Sequence, residues 1–195
     1  MTDRSAANGR LRVVGIAGSL RRASLNRALL CAAQRLATPA LHIEIESIAD
    51  LPMFNADVDA EGPPDAVGRL RASVQAADAL LLVTPEYNHG VPGVLKNAID
   101  WLSQPLHGSP LEGKPTGIMG ASTGLAGTAR SQSQLRQAFV LTNTPVMLRP
   151  EVLVGRAHEK FDSKGALTDE VTRRFVVDFL EQFATWIERQ IRAGG

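Results

Sequence analysis

The segment Ala79-Leu80-Leu81-Leu82-Val83-Thr84, which runs directly into Pro85-Glu86-Tyr87-Asn88-His89-Gly90-Val91-Pro92-Gly93, decides the fold. Its first six residues are almost continuously apolar, a pattern typical of a parallel strand that helices cover on both faces. The nine residues that follow are dense in proline and glycine, which favour an irregular turn. We therefore expect a central buried strand whose carboxyl end opens directly into a loop.

Four other apolar segments of strand length alternate with segments of helical period, which predicts βαβ units and a parallel sheet. Right-handed crossovers between such strands predict a three-layer α/β sandwich with a doubly wound strand order. The predicted strands are Leu11–Ala17, Leu41–Ile48, Ala79–Thr84, Thr116–Ala121 and one within Val146–Val154. The predicted helices are Leu25–Leu36, Asp65–Ala76, Gly93–Leu102, Ala129–Leu141 and a last helix that follows Thr168.

The last helix has a clear start signal and a long apolar stripe. Thr168 is placed to cap it, and Asp169 and Glu170 fall in the first turn, where the helix dipole favours acidic side chains. The stripe has four-residue spacing throughout, and we expect all of it to pack in the core. Its members are Val171, Phe175, Phe179, Phe183, Ile187 and Ile191.

Length and composition indicate one ordinary globular domain. At about 150 residues per domain, 195 residues favour a single unit, which we assign to residues 11–193, preceded by a flexible tail at residues 1–10. The net charge of +1 argues against a nucleic-acid partner. The apolar segments are too short to span a bilayer, and the single cysteine, Cys31, fits a reducing cytoplasm and excludes multi-cysteine metal sites. The four histidines are scattered without metal-ligand spacing, so no metal site is predicted.

Ligands of doubly wound sheets bind beyond the carboxyl ends of the strands, so the loops there carry the chemistry. The loop after the first strand contains hydroxyl side chains and arginines next to a helix N-terminus, which together favour an anion. From Arg4 to Ile43, both included, there are seven arginines and no acidic residue. The plainer alternative is that Ser24 only caps the helix and that the arginines are solvated. The loop matches neither a Walker A motif nor a G-x-G-x-x-G fingerprint.

The loops after the third and fourth strands favour a planar ligand. The backbone between Pro85 and Gly93 can face a heterocycle, and Tyr87 and Asn88 add surface and hydrogen-bonding groups. Glycines in the segment from Ser122 to Arg130 let the backbone approach a ligand closely. Either loop could instead be only a tight connection. The prediction of a site rests on the convergence of three loops at one edge of the sheet.

These residues together resemble the NADPH-dependent FMN reductase family of flavodoxin-like proteins, and within it the bacterial chromate and quinone reductases. The resemblance covers nearly the whole chain. It is carried by Gly18-Ser19-Leu20-Arg21 with Ser24 and Asn26, by Thr84 to Asn88 running into Pro92 to Trp101, and by Ser122 to Arg130. It implies a flavodoxin-like sheet of strand order 2-1-3-4-5 and noncovalently bound FMN.

Carried over by position, the resemblance implies roles for three groups of residues. The FMN phosphate would be held by Ser19, Arg21, Ser24 and Asn26. The isoalloxazine ring would be lined by Pro85, Glu86, Tyr87 and Asn88 and closed on its other side by Ser122, Thr123 and Gly124. In this chain Thr128 stands where close relatives carry a glycine, which we expect to stiffen the loop and narrow the substrate entrance.

The activity implied by the resemblance is hydride transfer from NADPH or NADH through FMN to a small acceptor in a ping-pong cycle. Acceptors of this kind are quinones, free flavin, azo compounds, chromate and ferric complexes. No side chain is expected to act as an acid or base, because the flavin carries the chemistry. A homodimer or homotetramer is implied as well. The alternative is a flavodoxin-type electron carrier, although the nearly neutral net charge favours the enzyme.

Overall fold

A computed structural model describes residues 9–193 as a five-stranded parallel sheet between two layers of helices. The strand order is β2-β1-β3-β4-β5, as the family resemblance implies. Every neighbouring pair is parallel, so the three-layer doubly wound architecture is confirmed. The strands are β1 (Leu11–Ala17), β2 (Leu41–Glu46), β3 (Ala79–Val83), β4 (Thr116–Ala121) and β5 (Val152–Val154).

Strand β3 lies at the centre of the sheet and is buried along its whole length. Leu81 and Val83 pack into the core on one face, whereas Leu80 and Leu82 pack into the core on the other face. Successive side chains of a strand point to opposite faces, so only a continuous apolar run can fill both cores. The continuous apolar run of β3 is therefore buried on both faces of the sheet, as predicted.

The helices divide between the two faces of the sheet. Helices α1 (Leu25–Leu36) and α6 (Glu170–Ala193) contribute to one core, and α3 (Asp65–Ala76), α4 (Gly93–Leu102) and α5 (Ala129–Ala138) contribute to the other. A short helix, α2 (Ala56–Glu61), was not predicted. It buries none of its residues, so it leaves no apolar period in the sequence. A 3₁₀ turn, Ala157–Glu159, follows β5.

The start of α6 differs from the prediction by one residue. The cap is Asp169, whose carboxylate accepts a hydrogen bond from the backbone N–H of Thr172 at 2.8 Å. The Thr168 hydroxyl instead donates to the carbonyl of Lys160. Hydrogen bonds from the hydroxyl and backbone N–H of Thr172 and from Lys160 lower the pKa of Asp169 to about 2.

The apolar stripe of α6 is buried only in its central part. Phe179, Phe183 and Ile187 are fully buried, as predicted. Val171 and Phe175 are 50% and 60% exposed, so their assignment to the core was wrong. Phe175 lines an open cleft together with Leu153 of β5, the strand at the edge of the sheet. The first turns of α6 thus lie where the sheet offers little surface to cover them.

Most of the tail predicted at residues 1–10 lies outside the described residues. Arg10 is described, and its guanidinium donates to the carbonyl of Leu41 at 2.6 Å. None of the helices between residues 9 and 193 combines the length and the apolar character needed to cross a bilayer.

Replacing Asp169 with alanine should lower the free energy of unfolding at pH 7, because the cap of α6 is lost. Thr168→Ala is the matched control and should lower the free energy of unfolding less, because its hydroxyl does not cap the helix. A folded-state pKa below the ordinary value of 3.8 means that the Asp169 contribution is present above that pH and is lost as the pH falls toward 2. Urea titrations at several pH values measure both effects. Equal losses in the two variants would contradict the assignment of the cap.

Candidate active site

Three loops meet at the carboxyl ends of neighbouring strands. Loop A (residues 18–24) follows β1, loop B (residues 84–92) follows β3, and loop C (residues 122–128) follows β4. Because β1, β3 and β4 are adjacent in the sheet, the predicted convergence of the loops is confirmed. The N–H of Gly18 donates to the carbonyl of Val83, and that of Thr84 donates to Met119, so the ladder continues into loops A and B.

Loop A presents several unpaired donors next to the N-terminus of α1. Ser24 caps this helix, because its hydroxyl oxygen accepts from the N–H of Arg27 at 3.2 Å. Among residues 9–193, the guanidinium of Arg21 has no hydrogen-bond or ion-pair partner. The same holds for the backbone N–H groups of Leu20, Arg22, Ala23, Leu25 and Asn26. A positive helix end, free N–H groups and an unpaired arginine form a cradle that suits a phosphate.

Asn26 joins loops A and C through the backbone of β4. Its side-chain amide donates to the carbonyl of Ala121 and accepts from the N–H of Ala121, both at 2.8 Å. The residue is 4% exposed. The amide nitrogen carries two hydrogens, so one N–H remains beyond this pairing. The main observed role of Asn26 is therefore to hold the start of α1 against the end of β4.

Glu86 directs its carboxylate away from the loop and onto helix α5. One carboxylate oxygen accepts from the backbone N–H groups of Arg130 and Ser131, at 3.0 and 3.3 Å, and the other pairs with the Arg130 guanidinium at 3.0 Å. Burial alone would raise the pKa of Glu86. These hydrogen bonds and the Arg130 charge outweigh it and lower the pKa below the ordinary value of 4.5. The carboxylate is occupied as the N-terminal anion of α5, so only the backbone of Glu86 is available to line a ring.

Loop B closes in a tight turn at Asn88 and His89. Both residues have positive φ angles, 50° and 64°, and Tyr87 and Gly90 exchange two backbone hydrogen bonds around them. This is the geometry of a type I′ turn, which glycine adopts most easily. Asn88 and His89 adopt it without being glycine, so the backbone of the predicted site is locally strained. The Tyr87 ring is 47% exposed, and its hydroxyl lies 3.5 Å from that of Ser19, which brings loops A and B together.

Sequence reasoning missed Gln134 as a second tether of loop B. Its side-chain oxygen accepts from the N–H of Val91 at 2.6 Å, while Arg130, one turn earlier on α5, holds Glu86. The four-residue spacing of Arg130 and Gln134 indicates that both side chains lie on the same face of α5. It does not indicate what they contact, because their partners lie more than 40 positions away in the sequence.

Loop C is fixed against the segment that follows β5. The carbonyls of Ser122 and Gly124 accept from the N–H groups of Ala157 and Arg156, and the Ser122 hydroxyl oxygen accepts from the N–H of Gly124. Thr123 and Gly124 are exposed, and Ser122 is half-buried. A Cβ on Gly155 would lie 2.4 Å from the carbonyl oxygen of Leu125, so glycine is required for this close approach.

Thr128 does not narrow the site, contrary to expectation. It is fully buried, and a Cβ on Gly120 would lie 1.9 Å from its hydroxyl oxygen. The side chain of Gln132 donates to this hydroxyl at 3.1 Å. Thr128 thus fills the space beneath β4 at the start of α5, away from the exposed part of loop C.

A doubly wound parallel sheet with a phosphate cradle after β1 and two more loops at the switch point defines a flavodoxin-like, nucleotide-binding α/β protein. The sequence profile described as NADPH-dependent FMN reductase matches residues 11–159. The chain is 45% identical to an NAD(P)H-dependent FMN reductase of Pseudomonas aeruginosa over 179 residues, which cover 92% of this chain and 96% of that protein. It is 40% identical to a quinone reductase of Escherichia coli over 183 residues, 92% and 97% of the two chains.

Among solved structures, the chain is similar to FerB, a flavoenzyme NAD(P)H:(acceptor) oxidoreductase from Paracoccus denitrificans. The TM-score is 0.84 at 38% identity, and the match covers 92% of this chain and 98% of FerB. The chain belongs to the NADPH-dependent FMN reductase family. It is an oxidoreductase that uses FMN with NAD(P)H as co-substrate, and these similarities favour the enzyme over the alternative of an electron carrier.

Replacing Glu86 with glutamine should lower the free energy of unfolding by about 1 kcal/mol at pH 7, because the charge next to Arg130 and the α5 N-terminus is lost. The lowered pKa means that this contribution is complete above pH 4.5 and disappears as the pH falls further. Urea titrations of both proteins from pH 7 to about pH 3, which extends well below the ordinary pKa of 4.5, would follow the difference. Asp100→Asn, which removes an exposed ion pair with Lys96, is the control and should have a smaller effect. A difference for Glu86→Gln that does not change with pH would refute the account.

Proposed function

We propose that this protein transfers reducing equivalents from NADPH or NADH to a quinone or another small acceptor, in a ping-pong cycle. Free flavin and chromate belong to the same proposal. Several relatives are quinone reductases, including those of Escherichia coli and Pseudomonas putida. The observation that carries the proposal is the phosphate cradle of loop A beside the exposed ring of Tyr87 at one edge of the sheet.

The described residues fit FMN. Ser19, Arg21 and Ser24 would hold the phosphate with the free N–H groups of loop A, and Asn26 would add its remaining N–H. Pro85, Tyr87 and Asn88, with the backbone of Glu86, would line one side of the ring. Ser122, Thr123 and Gly124 would close the other side with their exposed polar groups. When bound, FMN accepts hydride from NAD(P)H and passes electrons to the acceptor.

The electrostatics of loop B suit a ring that gains negative charge on reduction. A free carboxylate at Glu86 would oppose that charge, but Arg130 and the α5 N-terminus neutralise it. The N–H groups of Asn88 and His89 have no acceptor among residues 9–193, so they are available to ring oxygens and nitrogens. Glu86 and Gln134 hold loop B, so these N–H donors are already in place. A ligand therefore loses no binding free energy in ordering them.

The acceptor, by this proposal, stacks where Tyr87 is exposed. Between residues 9 and 193 there is no cluster of histidine, cysteine, aspartate and glutamate suited to a metal ion. The residues of this chain contribute position and electrostatics in the proposed cycle, because the flavin carries the chemistry. We place the protein in the cytoplasm, where NAD(P)H is available and a single cysteine stays reduced.

We also propose that the protein forms a homodimer or homotetramer. Leu148, Leu153 and Phe175 are 66%, 37% and 60% exposed around the edge strand β5. Exposed edge strands with apolar neighbours tend to pair or to be covered by another chain. A second copy of this chain would cover these side chains.

Arg21→Ala should weaken FMN binding about tenfold to a hundredfold, because a charge-assisted phosphate contact is worth about 1.5 to 3 kcal/mol. Titration of the flavin-free protein, followed by quenching of FMN fluorescence, measures the affinity. The control is Arg69→Ala, which removes an exposed arginine from α3, in the other helical layer. An unchanged affinity for Arg21→Ala would remove this residue from the site.

Tyr87→Glu should slow NAD(P)H-dependent quinone reduction at least about tenfold, because a fixed negative charge would face both the ring and the acceptor. The thermal midpoint should change little, since the tyrosine side chain is half-exposed. Tyr87→Phe is the matched control and should retain the rate, because the hydroxyl makes only one long contact. A Tyr87→Glu protein with the wild-type rate would show that acceptors do not approach this ring.

A further inference from the structure

Helix α5 supports loop B at three points along its length. The helix is fixed in the fold, because Ser131 and Leu135 are fully buried. The hydroxyl of Ser131 lies 3.0 Å from that of Thr84, the first residue of loop B. Glu86 and Val91 are held by further contacts with the same helix. The beginning and the end of loop B are therefore attached to one rigid element.

The last of these contacts is made by the side chain of Gln134. Its oxygen accepts from the backbone N–H of Val91 at 2.6 Å, and the side chain has no other hydrogen-bond partner among residues 9–193. Gly90 packs against the same oxygen, since a Cβ there would lie 2.8 Å from it. The φ angle of Gly90 is not in the left-handed region, so the turn itself does not require glycine at this position. The glycine instead leaves room for the Gln134 amide.

The contact with Gln134 determines where the strained turn at Asn88 and His89 lies. Two backbone hydrogen bonds between Tyr87 and Gly90 fix the shape of this turn. They do not fix its position, because both partners belong to the turn. The contacts of α5 with the residues before the turn hold its entry, and Gln134 holds its exit. Loss of the Gln134 contact would free the exit, and the unpaired N–H groups of Asn88 and His89 would move with it.

N–H donors at a flavin ring act more strongly on its reduced form than on its oxidised form. Reduction adds negative charge to the ring, and donors that are already oriented stabilise charge that develops next to them. Donors that must first be oriented stabilise it less, because the reorientation costs free energy. A residue that positions such donors therefore shifts the equilibrium between the oxidised and the reduced flavin.

We propose that Gln134 is a positioning residue that raises the reduction potential of the bound flavin. It acts through the N–H groups of Asn88 and His89, whose position it fixes from α5. The inference rests on the proposed function, because it takes these N–H groups as hydrogen-bond donors to the FMN ring. The effect has a direction: Gln134 favours the uptake of hydride from NAD(P)H and opposes the loss of electrons to the acceptor.

The contact itself can be measured in the flavin-free protein. Amide hydrogen exchange, followed by NMR spectroscopy, reports the opening of single N–H groups. In Gln134→Ala, exchange of the Val91 N–H should be about tenfold faster, because its acceptor is lost. The amides of β3 should exchange as in the wild type, because Gln134 is exposed and loop B can open without unfolding of the core. Unchanged exchange of the Val91 N–H would contradict the inference.

In the FMN-loaded Gln134→Ala protein, the equilibrium constant for flavin reduction should fall about tenfold, or about 30 mV for a two-electron couple. Spectrophotometric titration against a reference dye measures this potential. In anaerobic stopped-flow mixing, reduction by NADPH or NADH should be slower, whereas reoxidation by a quinone should be as fast or faster. The affinity for oxidised FMN should change less than about threefold, because the phosphate cradle of loop A is unaltered. A merely structural loss would slow both half-reactions.

Gly90→Ala tests the same contact from its other side. The added Cβ meets the far end of the Gln134 side chain, which must then move away from Val91. This variant should also lower the potential, and Gly90→Ala/Gln134→Ala should lower it no further, because both changes break one contact. The matched control is Gln137→Ala, which removes an exposed glutamine whose side chain has no hydrogen-bond partner within residues 9–193. It should change neither the exchange nor the potential.

A wild-type potential in both Gln134→Ala and Gly90→Ala would overturn the inference, and so would equal slowing of the two half-reactions. Additive falls of the potential in the double variant would do the same. Failure of the proposed function has a different outcome: the wild-type protein does not bind FMN, or NADPH and NADH do not reduce its flavin. If the wild type performs both steps and the variants retain its potential, only the positioning role of Gln134 fails.

Discussion

The pairing of the Asn26 side chain with the backbone of Ala121 is the constraint on which the candidate site depends. Its two hydrogen bonds connect residues 95 positions apart, and both ends are buried. They hold the N-terminus of α1 against the end of β4 and so set the separation of loops A and C. Loop B emerges from β3, which lies between β1 and β4 in the sheet. The ladder of β1, β3 and β4 sets the frame of the three loops, and this amide fastens α1 to it.

Helix α5 supplies the complementary constraint on loop B. Its N-terminal N–H groups and Arg130 hold Glu86, and Gln134 holds Val91, so both ends of the tight turn at Asn88 and His89 are tied to one rigid element. These ties also neutralise the negative charge of Glu86 on the side of loop B that faces α5. Structure and electrostatics thus depend on the same contacts, and the strained turn is retained because its surroundings hold it.

The sequence predicts the fold well where one pattern has only one physical solution. The continuous apolar run of β3 can be satisfied only between two helical layers, and both cores are filled from it. The sequence does not decide between adjacent residues that are equally suited to the same role. Thr168 and Asp169 are both good caps, and the contacts of Thr172 and Lys160 select the aspartate. The periodicity of α6 could not show where the sheet edge leaves Val171 and Phe175 exposed.

The candidate site, like the fold, is predicted by the sequence only in part. The position of the three loops follows from the order of strands and helices, but the direction of single side chains does not. Glu86 turns to Arg130, 44 residues away, and Thr128 fills the space that Gly120 leaves beneath β4. Both outcomes depend on long-range contacts that have no local signal in the sequence. Anaerobic stopped-flow mixing of the FMN-loaded protein with NADPH or NADH, followed by addition of a quinone, tests the proposed activity most directly. An NAD(P)H-dependent quinone reductase should lose its flavin absorbance rapidly and regain it rapidly with the quinone, whereas bound flavin that is reduced only slowly by both nucleotides would contradict this activity.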